Sequence, residues 1–179
     1  SLVLPYEAVG IYSIVIESSK AGQSLVGVFS TALYVRISRT RDFNILIKTS
    51  IYFFLVLFFM FIPFVTYGFS LLDILFDFNV EIIYKLFLLL YIFTPVFVVN
   101  ALWGYPFFSP INREDVINRI IFISSIIYFL SFLTAQLLPD FNIFIAVGCI
   151  LLADLFGFIL RIYFVFIERH NLANKIKYN

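Results

Sequence analysis

Charge is what this chain has least of. Only 13% of its 179 residues are Asp, Glu, Lys or Arg, against ~25% in an ordinary soluble domain. Histidine and cysteine occur once each. A lone Cys149 excludes an intramolecular disulfide framework and a cysteine metal cluster, and a lone His170 excludes a histidine-based metal site. The net charge of +1 gives no bulk attraction to nucleic acid, so no nucleic-acid partner is expected. No G-x-x-x-x-G-K-[ST], H-E-x-x-H or G-x-S-x-G pattern occurs. No ATPase, zincin or hydrolase motif therefore supports an enzyme, and neither catalytic residue nor cofactor is assigned. A basic stretch followed by a short apolar run and a cleavage site is missing at the start. The first residue is Ser1 rather than Met, and the chain reads as a fragment of something longer.

What remains is apolar. The hydrophobic share is 63%, Phe alone occurs 25 times, and the mean hydropathy is +1.04. Such a composition rules out disorder and exceeds what a soluble core of this length absorbs. It points to an all-α, polytopic membrane helix bundle.

A spanning helix needs about 20 mostly apolar residues, and the charges cut the chain into pieces of that size. No charge lies between Lys48 and Asp73, between Lys85 and Arg113, or between Arg119 and Asp140. Three spans follow, roughly 47–70, 84–106 and 117–137. A fourth, roughly 141–165, contains Asp154 and Arg161, and another, roughly 8–35, contains Glu17 and Lys20. The expectation is about five transmembrane helices, with Ser1–Pro5 as the last turn of a sixth and 166–179 as a tail. The connectors are too short for a soluble domain, and Leu138–Asn142 reads as a turn from its Pro and Asp.

Lysine and arginine fix an orientation. One side carries Arg36, Arg39, Arg41, Lys48, Arg113, Arg119, Arg161, Arg169, Lys175 and Lys177, and the other only Lys85. Positive loops stay in the cytoplasm. Arg36–Lys48, Arg113–Arg119 and the C-terminal tail are thus expected inside, and Ser1, Asp73–Asn79 and Pro139–Asp140 outside.

Charges inside spans are costly, about 2.5–3.5 kcal/mol each near a helix centre on insertion scales. In the first helix Glu17 and Lys20 share a face with Gly10, Ser13, Ala21, Ser24 and Thr31, opposite Ile11, Val15, Val26, Phe29 and Leu33. That small and polar stripe fits either a self-neutralised pair joining helices or a wall of a watery cavity. Asp154 lies near the centre of the last span, with Arg161 on the same face about 10 Å nearer the cytoplasm. Arg161 can snorkel; Asp154 is too central and is expected to pair with Arg161 or, across the bundle, with Lys20. Ser124, Tyr128, Ser131 and Ala135 form a weaker stripe suited to packing. The second span, apolar nearly all round, is expected to face lipid. Pro63 and Pro95 predict kinks inside their spans. Trp103 and Tyr105 are expected at headgroup level, His170 in solvent, and Cys149 buried.

The stretch Val9-Gly10-Ile11-Tyr12-Ser13, with Glu17, Lys20-Ala21-Gly22-Gln23-Ser24-Leu25 and Thr31-Ala32-Leu33-Tyr34-Val35-Arg36-Ile37-Ser38-Arg39, resembles the eighth membrane helix of the Wzx-type O-antigen flippases. These form a branch of the multidrug/oligosaccharidyl-lipid/polysaccharide exporter superfamily. Val35 stands where the family usually has proline. Asn100, Gly104 and Pro106–Pro110 resemble the segment after the tenth helix, and Ala153-Asp154-Leu155 a part of the last. The resemblance implies the C-terminal lobe of a twelve-helix transporter of two lobes around a central cavity, in the bacterial inner membrane, with a cytoplasmic C-terminus. It implies a lipid-linked oligosaccharide substrate, membrane lipid and other O-antigen assembly proteins as partners. Lys20, then Arg36, would contact the diphosphate, and Glu17 and Asp154 would serve proton or cation coupling. Another exporter of the superfamily, such as a drug/cation antiporter, is the alternative; an O-antigen polymerase or glycosyltransferase would want a long external loop, which the connectors do not provide.

Overall fold

The long uncharged runs leave their backbone groups one economical solution, since a helix satisfies every N–H and C=O within its own segment. The computed structural model describes residues 6–76, 79–138 and 141–177, and among these no strand occurs. The helices are α1 (Tyr6–Thr40), α2 (Asn44–Leu75), α3 (Val80–Leu102), the single-turn α4 (Tyr105–Phe108), α5 (Glu114–Ala135) and α6 (Ile143–Lys177). A 3-10 turn, Ser109–Ile111, follows α4. The turn expected at Ser1–Pro5, the outward positions Asp77, Pro139 and Asp140, and the side chains of His170, Lys175 and Lys177 lie outside the described residues.

Among the described residues four segments are long and apolar enough to cross a membrane: Asn44–Leu75, Val80–Ile111, Glu114–Ala135 and Ile143–Arg169. They correspond to four of the five expected spans. The fifth, 8–35, lies within α1, whose 35 residues reach about 52 Å at 1.5 Å per residue. It has the length to cross ~30 Å of hydrocarbon, but its Ser, Gly, Gln, Glu and Lys leave it less apolar than the other four.

The bounds also shift. α2 runs past both Lys48 and Asp73, whose side chains are exposed. α3 stops at Leu102, and Gly104 turns the backbone with ψ −114°. The Tyr105–Phe108 turn then folds inward, burying Pro106, Phe107 and Phe108. Pro63 and Pro95 sit within unbroken α2 and α3. Residues 166–177 continue α6 as helix. Asn142 caps that helix, its Oδ1 accepting from the Phe144 and Ile145 N–H groups at 3.0 and 3.1 Å.

α3 is the central element, packing against α1, α2 and α6, while α5 pairs with α6 and α1 also meets α4. Two apolar cores result. One gathers Leu33, Ile37, Leu46, Val98, Leu102, Phe107, Phe108, Ile120 and Val165. The other gathers Ile11, Val15, Leu72, Ile83, Leu86, Leu90, Ile143, Val147 and Leu151. Because Ile37, Leu46 and Val116 share the first core, the basic residues beside them in sequence, Arg36, Arg39, Arg41, Lys48, Arg113 and Arg119, collect at one end of the bundle.

At that end Trp103 is half-buried against its neighbours. Its Nε1 donates to the buried Ser50 Oγ of α2 at 2.8 Å, and its ring stacks on Phe107. Tyr105 stays exposed and donates to Asn118 Oδ1 at 2.8 Å. Arg113 joins α5 to α6 through an ion pair with Glu168, which is only 7% exposed. α2 buries Leu46, Ser50, Gly68 and Leu72 and leaves most of its apolar surface exposed.

Candidate functional site

Between the two cores the packing opens. A cavity of about 570 Å³ is walled by Ser18, Ser19, Gly22 and Gln23 of α1, Phe53 and Leu57 of α2, Tyr91, Thr94, Phe97 and Asn100 of α3, and Asp154 and Arg161 of α6. A second cavity of about 340 Å³ lies between α5 and α6, lined by Ser124, Ser125, Tyr128 and Gly157. Asn100, Asp154 and Arg161 belong to both linings.

These side chains are held by backbone more than by each other. Asn100 donates its Nδ2 to the Asp154 carbonyl at 3.0 Å, joining α3 to α6. Ser30 Oγ donates to the Ala101 carbonyl at 2.8 Å, joining α1 to α3. Gly157 lets α5 approach: a Cβ there would stand 2.8 Å from Ser124 Oγ and 3.7 Å from an Arg161 nitrogen. Among the described residues three buried polar atoms have no protein partner: Asn100 Oδ1, Ser124 Oγ and Arg161 Nε.

The expected site residues divide into two groups. Asp154 and Arg161 come together in the central cavity. They form no ion pair within 4.0 Å, since the pairs among the described residues are Lys20–Glu17, Lys85–Glu81, Arg113–Asp115 and Arg113–Glu168. Lys20 does not reach across to Asp154; its Nζ donates to Glu17 Oε1 at 2.7 Å. Glu17 and Lys20 are 69% and 62% exposed. Ser24 is exposed with its hydroxyl bonded to the Ala21 carbonyl. Arg36, also exposed, borders a separate groove of about 560 Å³ between α1 and α2, with Leu33 and Tyr52.

The whole polar stripe of α1 faces outward. Gly10, Ser13, Glu17, Lys20, Ala21, Ser24 and Thr31 are all exposed, while Ile11, Val15 and Leu33 are buried. The stripe that does enter the cavity, Ser19, Gly22, Gln23 and Val26, is its neighbour at the same helical spacing. A second walk along the helix from Ser19 finds it. Asn100 and Ser124 carry a weaker signal, a single amide or hydroxyl in an apolar run. Among the described residues no three metal-capable side chains gather.

Four long apolar helices in an all-helical bundle make this a membrane protein by class. No protein-family model, curated protein or solved structure matches the chain.

Proposed function

We propose that this chain is the C-terminal lobe of a bacterial inner-membrane flippase. It moves undecaprenyl-diphosphate-linked oligosaccharide repeat units to the periplasmic leaflet by alternating access, in which two lobes rock about a shared cavity. The work is positional and electrostatic, with no bond made or broken. One observation supports this best: beside exposed Leu25, Val28 and Phe29, α1 carries an exposed stripe of Gly10, Ser13, Glu17, Lys20, Ala21 and Ser24, on a bundle whose other outward surfaces, such as those of α2, are clothed in Phe, Leu, Ile and Tyr. A face bearing Glu17 and Lys20 is poorly suited to hydrocarbon. A second lobe and the aqueous path between the lobes give it a compatible setting. In this reading α1 spans the membrane, the basic end of the bundle lies in the cytoplasm, and the other O-antigen assembly proteins act before and after it.

A drug/cation antiporter would be served by an acidic cavity. Here Asp154 shares its cavity with Arg161, which favours the oligosaccharide cargo.

The test is paired replacement of Glu17 by Gln and Lys20 by Met in the full-length protein. Removing both charges together is often close to neutral for stability. The variant is expected at normal abundance with reduced surface O-antigen display per unit of membrane protein. Undiminished display would remove the pair from transport and leave it structural.

A further inference from the structure

The seam between α1 and α2 stays open on the outside of the bundle. α1 packs on α3 and α4 and has little contact with α2. The groove of about 560 Å³ left between them has two unlike ends. Most of its length is apolar, walled by Phe29, Ala32 and Leu33 of α1 and by Phe53 and Val56 of α2. Arg36 and Thr49 line its other end. The short turn between α1 and α2 sets the helices antiparallel, so Arg36 lies level with Thr49 and Phe29 level with Val56. Each polar residue is seven positions from the apolar limit of its own wall, which is about 10 Å at 1.5 Å per residue. One leaflet offers ~15 Å of hydrocarbon, half of the ~30 Å core. The groove therefore has the depth of most of one acyl chain, with its polar groups where a headgroup lies.

That polar end is short of partners. Arg36 joins none of the ion pairs formed among the described residues. Thr31, Thr40, Thr66, Thr94 and Thr134 each donate the hydroxyl to a carbonyl one turn back, and among the described residues Thr49 makes no such bond. A guanidinium and a hydroxyl side by side offer donors to the oxygens of a phosphodiester. From Arg36 to Lys48 four basic residues stand against one acid, Asp42. A head that carries its own ammonium gains less there than one that is net negative.

We propose that the α1–α2 groove seats one anionic phospholipid of the cytoplasmic leaflet, its phosphate held by Arg36 and Thr49 and one acyl chain laid between Phe29 and Val56. Phe53 and Val56 also wall the central cavity, so the seated chain closes the seam between that cavity and the bilayer. At about 100° per residue, the groove side of α1 is roughly a third of a turn from the Glu17–Lys20 stripe, and the lipid leaves that stripe free. The proposal uses the orientation given above and not the cargo: it assigns Arg36 to the membrane itself.

The test is native mass spectrometry of the full-length protein in detergent, titrated with phosphatidylglycerol or with phosphatidylcholine of the same chains. Phosphatidylglycerol is expected to bind about fivefold more tightly, the share of one basic residue near an anionic head, and Arg36→Gln to remove that preference. Arg39→Gln takes the same charge from the same end outside the groove and is expected to keep it. Ala32→Trp and Val56→Trp fill the groove from its two walls at exposed positions and leave every charge in place. Either, while monodisperse on size exclusion, should weaken phosphatidylglycerol about tenfold, close to what two methylenes driven out of the groove are worth. Equal losses from Arg36→Gln and Arg39→Gln would show a diffuse attraction to the basic end and overturn the site. Equal binding of the two lipids, full binding in both Trp variants, or no binding because another part of the chain covers the groove overturns it too. Displacement of phosphatidylglycerol by an equal concentration of undecaprenyl phosphate would give the groove to the carrier lipid and overturn the proposal as well.

Discussion

Gly157→Ala probes the close approach of α5 to α6. The new Cβ would lie 2.8 Å from Ser124 Oγ but 3.8 Å from Ser124 Cβ, so among its nearest neighbours only the hydroxyl obstructs it. If the helices must part, overpacking of this kind costs about 1–3 kcal/mol. For a chain of this size roughly 2–4 °C of midpoint accompanies each kcal/mol, so a fall of several degrees is expected. Ser124→Ala alone surrenders no protein hydrogen bond, because that Oγ has no partner, and should move the midpoint by no more than a degree or two. In the double variant the obstruction is gone and the remaining 3.8 Å separation is ordinary contact. Alanine is also a better helix former than glycine by up to about 1 kcal/mol. The double variant should therefore equal or exceed the parent, with a coupling of at least about 1 kcal/mol between the two sites. The assay is stepwise heating of the detergent-solubilised protein, followed by the fraction that stays monodisperse on size exclusion. Additive losses, with Ser124→Ala giving no relief, would refute the claimed contact between α5 and α6.

Three further outcomes follow from the structure. Arg113→Met leaves the buried Glu168 without its ion-pair partner and should lower the midpoint by several degrees; adding Glu168→Gln should recover most of the loss, because the stranded charge is then gone. The single Trp103 should emit in the blue, as an indole held against Ser50 and Phe107, and Ser50→Ala should change the emission while Tyr105→Phe does not; a red, quencher-accessible emission in the parent protein would contradict the inward setting. Reporters fused after Arg41 and after Lys177 should report cytoplasm and those at Asn79 and Leu138 periplasm, and a periplasmic signal at Lys177 would overturn the proposed orientation.

The spans between Lys48 and Asp73, Lys85 and Arg113, and Arg119 and Asp140 were legible because an uncharged run of that length has few other fates. Their ends were less so. Helical hydrogen bonding continues past a charge that can point outward, and α2 therefore reaches from Asn44 to Leu75. The α3 terminus is set instead by Gly104 and by the inward fold of Phe107 and Phe108. Amphipathic spacing placed Ile11, Val15 and Leu33 inside and Glu17 and Lys20 out, but Phe29, assigned to the inner face, is exposed. Spacing carries no distance between helices, however. It could not decide whether Lys20 meets Glu17 or Asp154, nor reveal that Asn100 bonds the backbone at Asp154. Trp103 shows the same limit: a tryptophan near a span end suits a headgroup, and only the fold brings Ser50 beside it.

The central place of α3 bears on how the chain is made. The pairs α2 with α3 and α5 with α6 are near neighbours in sequence, so each can close soon after its second helix emerges. α1 is different. Its principal partner is α3, with α4 beyond it, and it has little contact with the α2 that follows directly. Synthesis proceeds at roughly 5–20 residues per second, and α3 is complete only at Leu102. For some seconds, then, α1 exists with the apolar face that α3 will cover unpacked. The apolar face of α1 must therefore stay sheltered at the insertion machinery until α3 arrives, so this pairing across the intervening α2 is a step at which biogenesis is exposed to failure.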